Sequence, residues 1–398
     1  MRKADARREG RARLLTPTFL LLTLSTFLYF VTVGSLVPVL PRYVEGPLGS
    51  GSVAVGLAMG AFSLTAVLFR PLAGRLGDVR GRAILIVLGG GAVAASVAGY
   101  WLATSLWVLV LMRLLTGAGE AAFYVGVASA VNDLAPDERR GEAVSFFSLA
   151  LFAGLAAGPV MGEHLLEAYG YGAVWAASSI FAALAASIGL RVPDTRTALP
   201  DRRRRLLHPA GLFPGLVLGA QVWGLGGFNT FVPLYALSIG LGGSRMVFVL
   251  FSAIILAIRG FWARLPDVVG RRRSARLALT FNALGLALIG LWPSAAGLYV
   301  GAALFAFGQA FGFPALMSLT IDAARPSERA SAVGTFTMFF DLAFGLGAVS
   351  LGAIAAAIGY RGLFLSAAGI ALLGLALLFL KRDRYETIAR DEAASVAA

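Results

Sequence analysis

Residues 70–82 read Arg70-Pro-Leu-Ala-Gly-Arg75-Leu76-Gly-Asp78-Val79-Arg-Gly81-Arg82. The pattern returns 189 residues later as Arg259-Gly-Phe-Trp-Ala-Arg264-Leu265-Pro-Asp267-Val268-Val-Gly270-Arg271. Seven of the thirteen positions are identical and in register. The same offset carries Gly170-Tyr171 to Gly359-Tyr360 and Asp133 to Asp322. The chain therefore reads as two related halves, each with a polar, basic stretch at the same place. A parallel repeat of six helices plus six is the pattern of a transporter built from two moving bundles.

Outward from those stretches the chain is apolar. Of 398 residues, 58% are hydrophobic and only 14% charged. A soluble domain carries about 45–50% and about 25%. Twelve apolar runs are long enough to approach the roughly 20 residues of a membrane span. They are 17–40, 52–73, 82–104, 107–131, 142–166, 172–190, 211–238, 246–265, 275–294, 296–320, 330–356 and 361–380. The fold class is an all-α membrane protein with twelve transmembrane helices in two pseudo-symmetric six-helix bundles. The domains are a first bundle at 1–190, a basic linker at 191–210 and a second bundle with a short tail at 211–398. The linker holds Pro193, Pro200, Pro209 and the run Arg202-Arg203-Arg204-Arg205, suited to anionic headgroups. The basic start and first apolar run resemble a signal peptide, but the run is too long, so it is read as a retained helix ending at Pro38, Pro41 and Arg42.

An even helix number puts both termini on one side. Among 34 basic residues, Arg42, Arg245 and Arg361 fall on the opposite side, Arg113 falls inside the fourth helix, and the other 30 fall on the side of the termini or at its boundary. By the positive-inside rule that side is the cytoplasm of a cell (inner) membrane protein. The net charge of +13 then reflects orientation and gives no reason to expect a nucleic-acid partner.

Several chemistries are excluded. The chain has no Cys and only His164 and His208, so thiolate chemistry and His-based metal sites are not expected. Lys occurs only as Lys3 and Lys381, and no Gly-x-x-x-x-Gly-Lys-Ser/Thr phosphate loop is present. The protein is not read as an enzyme or an ATP-driven pump. No cofactor is expected, and an ion gradient is the energy source.

At these residues the sequence resembles the major facilitator superfamily over nearly its whole length. The family's loop signature between its second and third helices appears as Gly74, Asp78, Gly81 and Arg82, with Val79 and Ala83 departing. The second copy keeps Asp267, Gly270 and Arg271. By resemblance these seven residues form gating latches between the bundles. The fourth helix carries Arg113-Leu-Leu-Thr116-Gly117-Ala-Gly119-Glu120, similar to the family's Arg-plus-glycine signature. The fifth carries Gly154-x-x-x-Gly158-Pro159-x-x-Gly162, similar to the signature of proton-coupled exporters, with Glu163 in place of the final Gly. The resemblance implies a working monomer that moves a small molecule against protons. The expected function is export of small amphipathic compounds. The alternative is proton-coupled import of a sugar or organic anion.

Charges inside the bilayer point to a site, because they are costly there and usually face a wet path. Arg113 and Glu120 are seven residues apart, about two turns, and so share a helix face with Thr116 and Tyr124 nearby. Each is expected to lower the other's burial cost. A carboxyl as deep as Glu120 is a candidate proton carrier. Asp341, eleven residues into its helix with Thr337 on the same face, is the second candidate. Glu163 and His164 are a third, as a relay at the helix end. Tyr29, Gln221, Phe228, Asn229, Asn282, Gln309 and Phe340 join Thr116, Tyr124 and Thr337 as substrate-cavity candidates.

Overall fold

The computed structural model describes residues 14–136, 139–193, 207–261, 269–325 and 328–380. Among them every regular element is a helix. In chain order they are α1 (Pro17–Glu45), α2 (Ser52–Arg80), α3 (Arg82–Ala98), α4 (Leu106–Leu134), α5 (Arg140–Tyr169), α6 (Tyr171–Ile188), α7 (Pro209–Ser238), α8 (Arg245–Phe261), α9 (Arg271–Leu291) and α10 (Ala295–Asp322). The last helical stretch, Arg329–Leu380, breaks at Ile358 (φ −132°) and Gly359 (φ 74°, ψ 178°). It is therefore two helices, α11 (329–357) and α12 (360–380). Ten of the helical stretches are long and apolar enough to cross a membrane, counting α11 and α12 together.

The ends follow local chemistry. Thr16 caps α1 by accepting from the Phe19 N–H at 3.2 Å, with Pro17 in the first turn where its missing N–H costs nothing. Ser294 caps α10 through the Gly297 N–H at 3.1 Å. Two of the boundaries that differ from the expectation bear on the site. α1 does not stop at 40 but runs on through Pro41 to Glu45, with Pro38 also inside it. α2 does not stop at 73 but runs through Pro71 to Arg80. A proline removes one backbone bond, and a membrane helix tolerates this when neighbours cover the freed carbonyl. Gly74 and Asp78 are consequently helical. Only Gly81 (φ 92°) makes the turn into α3.

The turns repeat with the sequence. Gly81 and Gly270 have φ of 92° and 95°, and Gly170 and Gly359 have 80° and 74°. All four lie in a region that a side chain rarely enters. Each pair is separated by the 189-residue offset, so the duplication is structural as well as textual.

The chain divides into two compact units. The first comprises Met1–Arg203 with Asn229–Leu256, the second Arg204–Phe228 with Ala257–Ala398. Small residues bring the first unit's helices together. A Cβ on Gly158 would lie 2.6 Å from Gly34 Cα, and one on Gly162 would lie 2.4 Å from the Ser35 carbonyl oxygen, so α5 rests backbone to backbone on α1. Hydroxyls join α1 to α6: Ser25 donates to the Ala185 carbonyl at 2.8 Å and Thr32 to that of Ser178 at 2.9 Å. Without a hydrophobic drive between helices in lipid, close packing and such bonds carry association. The second unit repeats the device at α9 and α10, where a Cβ on Gly285 would lie 2.6 Å from the Gly301 oxygen.

Candidate functional site

The charged site is built where α4 crosses α2. The crossing point is Gly117, whose Cβ would fall 2.0 Å from the Phe62 carbonyl oxygen. Thr65 ties the crossing by donating to the Leu114 carbonyl at 2.7 Å. Arg113 and Glu120 lie on either side of Gly117 along α4, and both are 6% exposed.

Their expected mutual support is not what the side chains do. Glu120 is held by Arg70 of α2, whose Nη2 lies 3.3 Å from Oε1 and 3.5 Å from Oε2. Arg113 donates through Nε to the Ala58 carbonyl at 3.1 Å and stacks over the Phe62 ring at 4.8 Å. The reason is the crossing: α2 presses against α4 at Gly117 and offers one set of partners on each side. Arg70, placed by sequence at the membrane boundary, lies well inside because α2 continues ten residues beyond it. Its guanidinium also lies 4.8 Å from the Tyr124 ring centroid. Arg70 is the residue that sequence reasoning missed. The signal was an arginine inside the apolar run from Val67 to Leu72.

Tyr29 is fully buried, stacks on Phe123 with centroids 4.0 Å apart, and its hydroxyl has no hydrogen-bond partner among the described residues. Thr116 faces α3, where its hydroxyl meets Ser96 at 2.9 Å and Tyr100 at 3.1 Å.

At the near face Arg82 joins three helices. It donates to Asp78 at 2.7 Å and to Asp133 at 3.1 Å. These bonds bind α2, α3 and α4 inside the first unit. In the second copy Arg271 pairs with Asp322, the partner that the offset assigns to it. Gly270 makes the matching turn. Asp267 lies outside the described residues.

At the far end of α5 the proposed relay separates. His164 is exposed, whereas Glu163 is fully buried and accepts hydrogen bonds from the start of α8. Adjacent helix positions point about 100° apart.

In the second unit the amides meet. Gln221 donates to Gln309 Oε1 at 3.3 Å, and Gln309 donates back to the Gln221 carbonyl at 3.4 Å. Asn282 is fully buried, and neither its side-chain oxygen nor its nitrogen has a hydrogen-bond partner among the described residues. Phe228 packs on Phe305 with centroids 5.0 Å apart. Asp341 is buried on α11 at 6% exposure. Thr337 turns its hydroxyl to the Val333 carbonyl at 3.0 Å, and Phe340 meets Phe313 edge-on at 6.1 Å. Asn229, in the first unit, is half-buried. Among the described residues no group of three or more acidic, His or Cys side chains could hold a metal ion.

Comparison with known proteins agrees with this architecture. The family model described as Major Facilitator Superfamily matches residues 22–265 and 245–396. An uncharacterized MFS-type transporter of Salmonella typhimurium is 29% identical over 377 residues, covering 91% of this chain and 96% of that one. One from Burkholderia mallei is 29% identical over 384 residues, covering 93% of each. Among solved structures, the human organic anion transporter MFSD10 aligns with a TM-score of 0.70 at 21% identity, covering 91% of this chain and 100% of that one. A POT family transporter in complex with a thioalcohol-conjugated peptide aligns with a TM-score of 0.78 at 13% identity, covering 91% and 95%. The nucleoside transporter NupG aligns at 0.70 and 16%, covering 93% and 100%. The chain is a multi-pass membrane transporter and belongs to the major facilitator superfamily.

Proposed function

We propose that this transporter is a proton-coupled antiporter that exports small amphipathic compounds by alternating access. In this reading it sits in the inner membrane with both termini in the cytoplasm, works as a monomer and needs no cofactor. The observation that carries the reading is the pair of the buried Glu120 with the half-buried Arg70 at the α2–α4 crossing. A carboxylate held by an arginine inside a bundle is a charge switch. Ionised, Glu120 balances Arg70. A proton on Glu120 cancels that balance and raises the net positive charge of the region that holds Arg70 and Arg113. A ligand or proton that interacts differently with two states biases the equilibrium between them. The Gly154–Gly158–Pro159–Gly162 face supports the exporter signature, because those residues pack on α1 as a continuous small surface.

One observation favours the second reading, uptake of an organic anion. Arg113 is buried and has no carboxylate partner among the described residues. A substrate carboxylate is the chemistry that a guanidinium of this kind accepts.

The test is efflux of fluorescent amphipathic cations and neutral dyes from cells stripped of their own pumps, with and without a protonophore. Glu120→Gln is expected to lower proton-driven efflux by about a hundredfold or more, the scale on which one general proton-transfer group contributes. Asp341→Asn serves as the comparison. Full proton-dependent efflux in both variants overturns the coupling assignment. No efflux of any dye, with protein present in the membrane, turns the test to uptake of organic anions, where Arg113→Gln is the informative variant.

A further inference from the structure

Glu163 stands where the exporter signature has its last glycine, and the structure shows what the substitution does. Gly162 fixes α5 on α1, with no room for a Cβ beside the Ser35 carbonyl. The next residue is turned away from α1 by one helical step and meets the start of α8. There the Glu163 carboxylate accepts the Ser244 N–H at 2.8 Å, the Ser244 hydroxyl at 2.7 Å and the Arg245 N–H at 2.9 Å. The Ser244 carbonyl already accepts from Val247 at 2.9 Å, so Ser244 is the cap position of α8. One side chain of α5 thus satisfies the first backbone donors of another helix and places a negative charge at its positive end. The fit is close. A Cβ on Gly243 would lie 2.4 Å from Glu163 Oε2. Beside it, the exposed Glu167 meets Arg245 at 3.2 Å.

We infer that Glu163 is a releasable latch, which holds the far ends of α5 and α8 together in this state and lets go when the transporter opens on that face. The two helices come from different copies of the repeat, and their contact at this end is made by a carboxylate and the free N–H groups of a helix terminus. Both kinds of group are well satisfied by water. When the helix ends part, solvent takes over each bond, so the carboxylate is never left buried without a partner. An apolar contact or a carboxylate sealed deeper in the bundle would lack that property. The inference rests on membership of the transporter family and not on the identity of the coupling ion.

The chain's lack of cysteine makes a distance measurement direct. Spin labels at Tyr169→Cys and Met246→Cys, both exposed positions at the far ends of α5 and α8, report the separation in lipid nanodiscs by pulsed electron resonance. Glu163→Gln keeps the shape but loses the charge and turns an acceptor into a donor. It is expected to raise the ratio of separated to closed populations by about tenfold, the scale of a lost charge-assisted bond. Gly243→Ala, which pushes on the carboxylate without removing it, is expected to shift the ratio the same way. Combining the two adds little to the larger single effect. Glu167→Gln, which breaks only the exposed pair, changes the ratio by less than about twofold. If Glu163→Gln does not yield monodisperse protein, Gly243→Ala carries the test. Unchanged distances in folded Glu163→Gln, or in Gly243→Ala where that variant stands alone, overturn the latch. The measurement needs no substrate and no ion gradient, so its outcome is independent of the antiport reading.

Discussion

Gly117→Val is expected to abolish recovery of monodisperse protein. The Cβ of any side chain at 117 would lie 2.0 Å from the Phe62 carbonyl oxygen and 2.4 Å from Thr65 Oγ1. The first of these atoms is backbone, so no rotamer change relieves the clash. The helices must part by about 1 Å or more, since carbon atoms rest at about 3.5–4.0 Å. Parting breaks the Thr65–Leu114 bond and pulls Arg70 from Glu120. Overpacking alone costs about 1–3 kcal/mol, and loosening the Arg70–Glu120 contact adds to it. Gly74→Ala is the control. Nothing lies within 4 Å of a Cβ at Gly74, which is helical in α2, so alanine there is expected to be neutral or slightly stabilising. Fluorescence-detected gel filtration after a temperature ramp compares the two. Equal recovery of Gly117→Val and wild type would remove the crossing from the account of the site.

The second large effect separates the two copies of the repeat. Arg82→Ala removes the ion pairs to both Asp78 and Asp133, and the Arg82 side chain is only 9% exposed. About 2 kcal/mol of stability is expected to be lost, somewhat under the cost of breaking a fully buried pair, because the two carboxylates are 23% and 26% exposed. Arg271→Ala removes the equivalent contact to Asp322, but those side chains are 37% and 52% exposed. Water replaces most of that interaction, and a change of about 0–1 kcal/mol is expected. Arg82→Lys is expected to recover only part of the loss, since one ammonium cannot present the fork that reaches two carboxylates on different helices. Melting of the three variants in one detergent decides the matter. Similar losses in Arg82→Ala and Arg271→Ala would mean that burial is not what distinguishes the copies.

The duplication was legible because the turn glycines and the ion-pair partners are spaced by one offset. Gly81 and Gly270, and Asp133 and Asp322, could be matched by counting. The extent of α1 and α2 was not, because a proline in a membrane helix ends it only when nothing else covers the freed carbonyl. That misreading placed Arg70 at the boundary and hid the partner of Glu120. The seven-residue spacing correctly put Arg113 and Glu120 on one face. It carried no information about Gly117 as the contact with α2, which decides that the two charges take different partners. Glu163 read as a departure from a signature and as half of a relay because its contacts depend on a helix about 80 residues away in sequence. The amides Gln221 and Gln309 were recognised as candidates but not as each other's partners, since helix rotation sets which residues meet.

The turns at Gly170 and Gly359 bear on how the protein is made. α5 ends at Tyr169 and α6 begins at Tyr171, with Gly170 alone between them. Gly359 occupies the equivalent position between α11 and α12. With one residue between them, the two helices of such a pair can close their turn only when both are present, and a side chain at either tip would have to enter a positive-φ region that glycine enters without strain. Both halves of the chain are thus expected to complete their last helix pair by the same step.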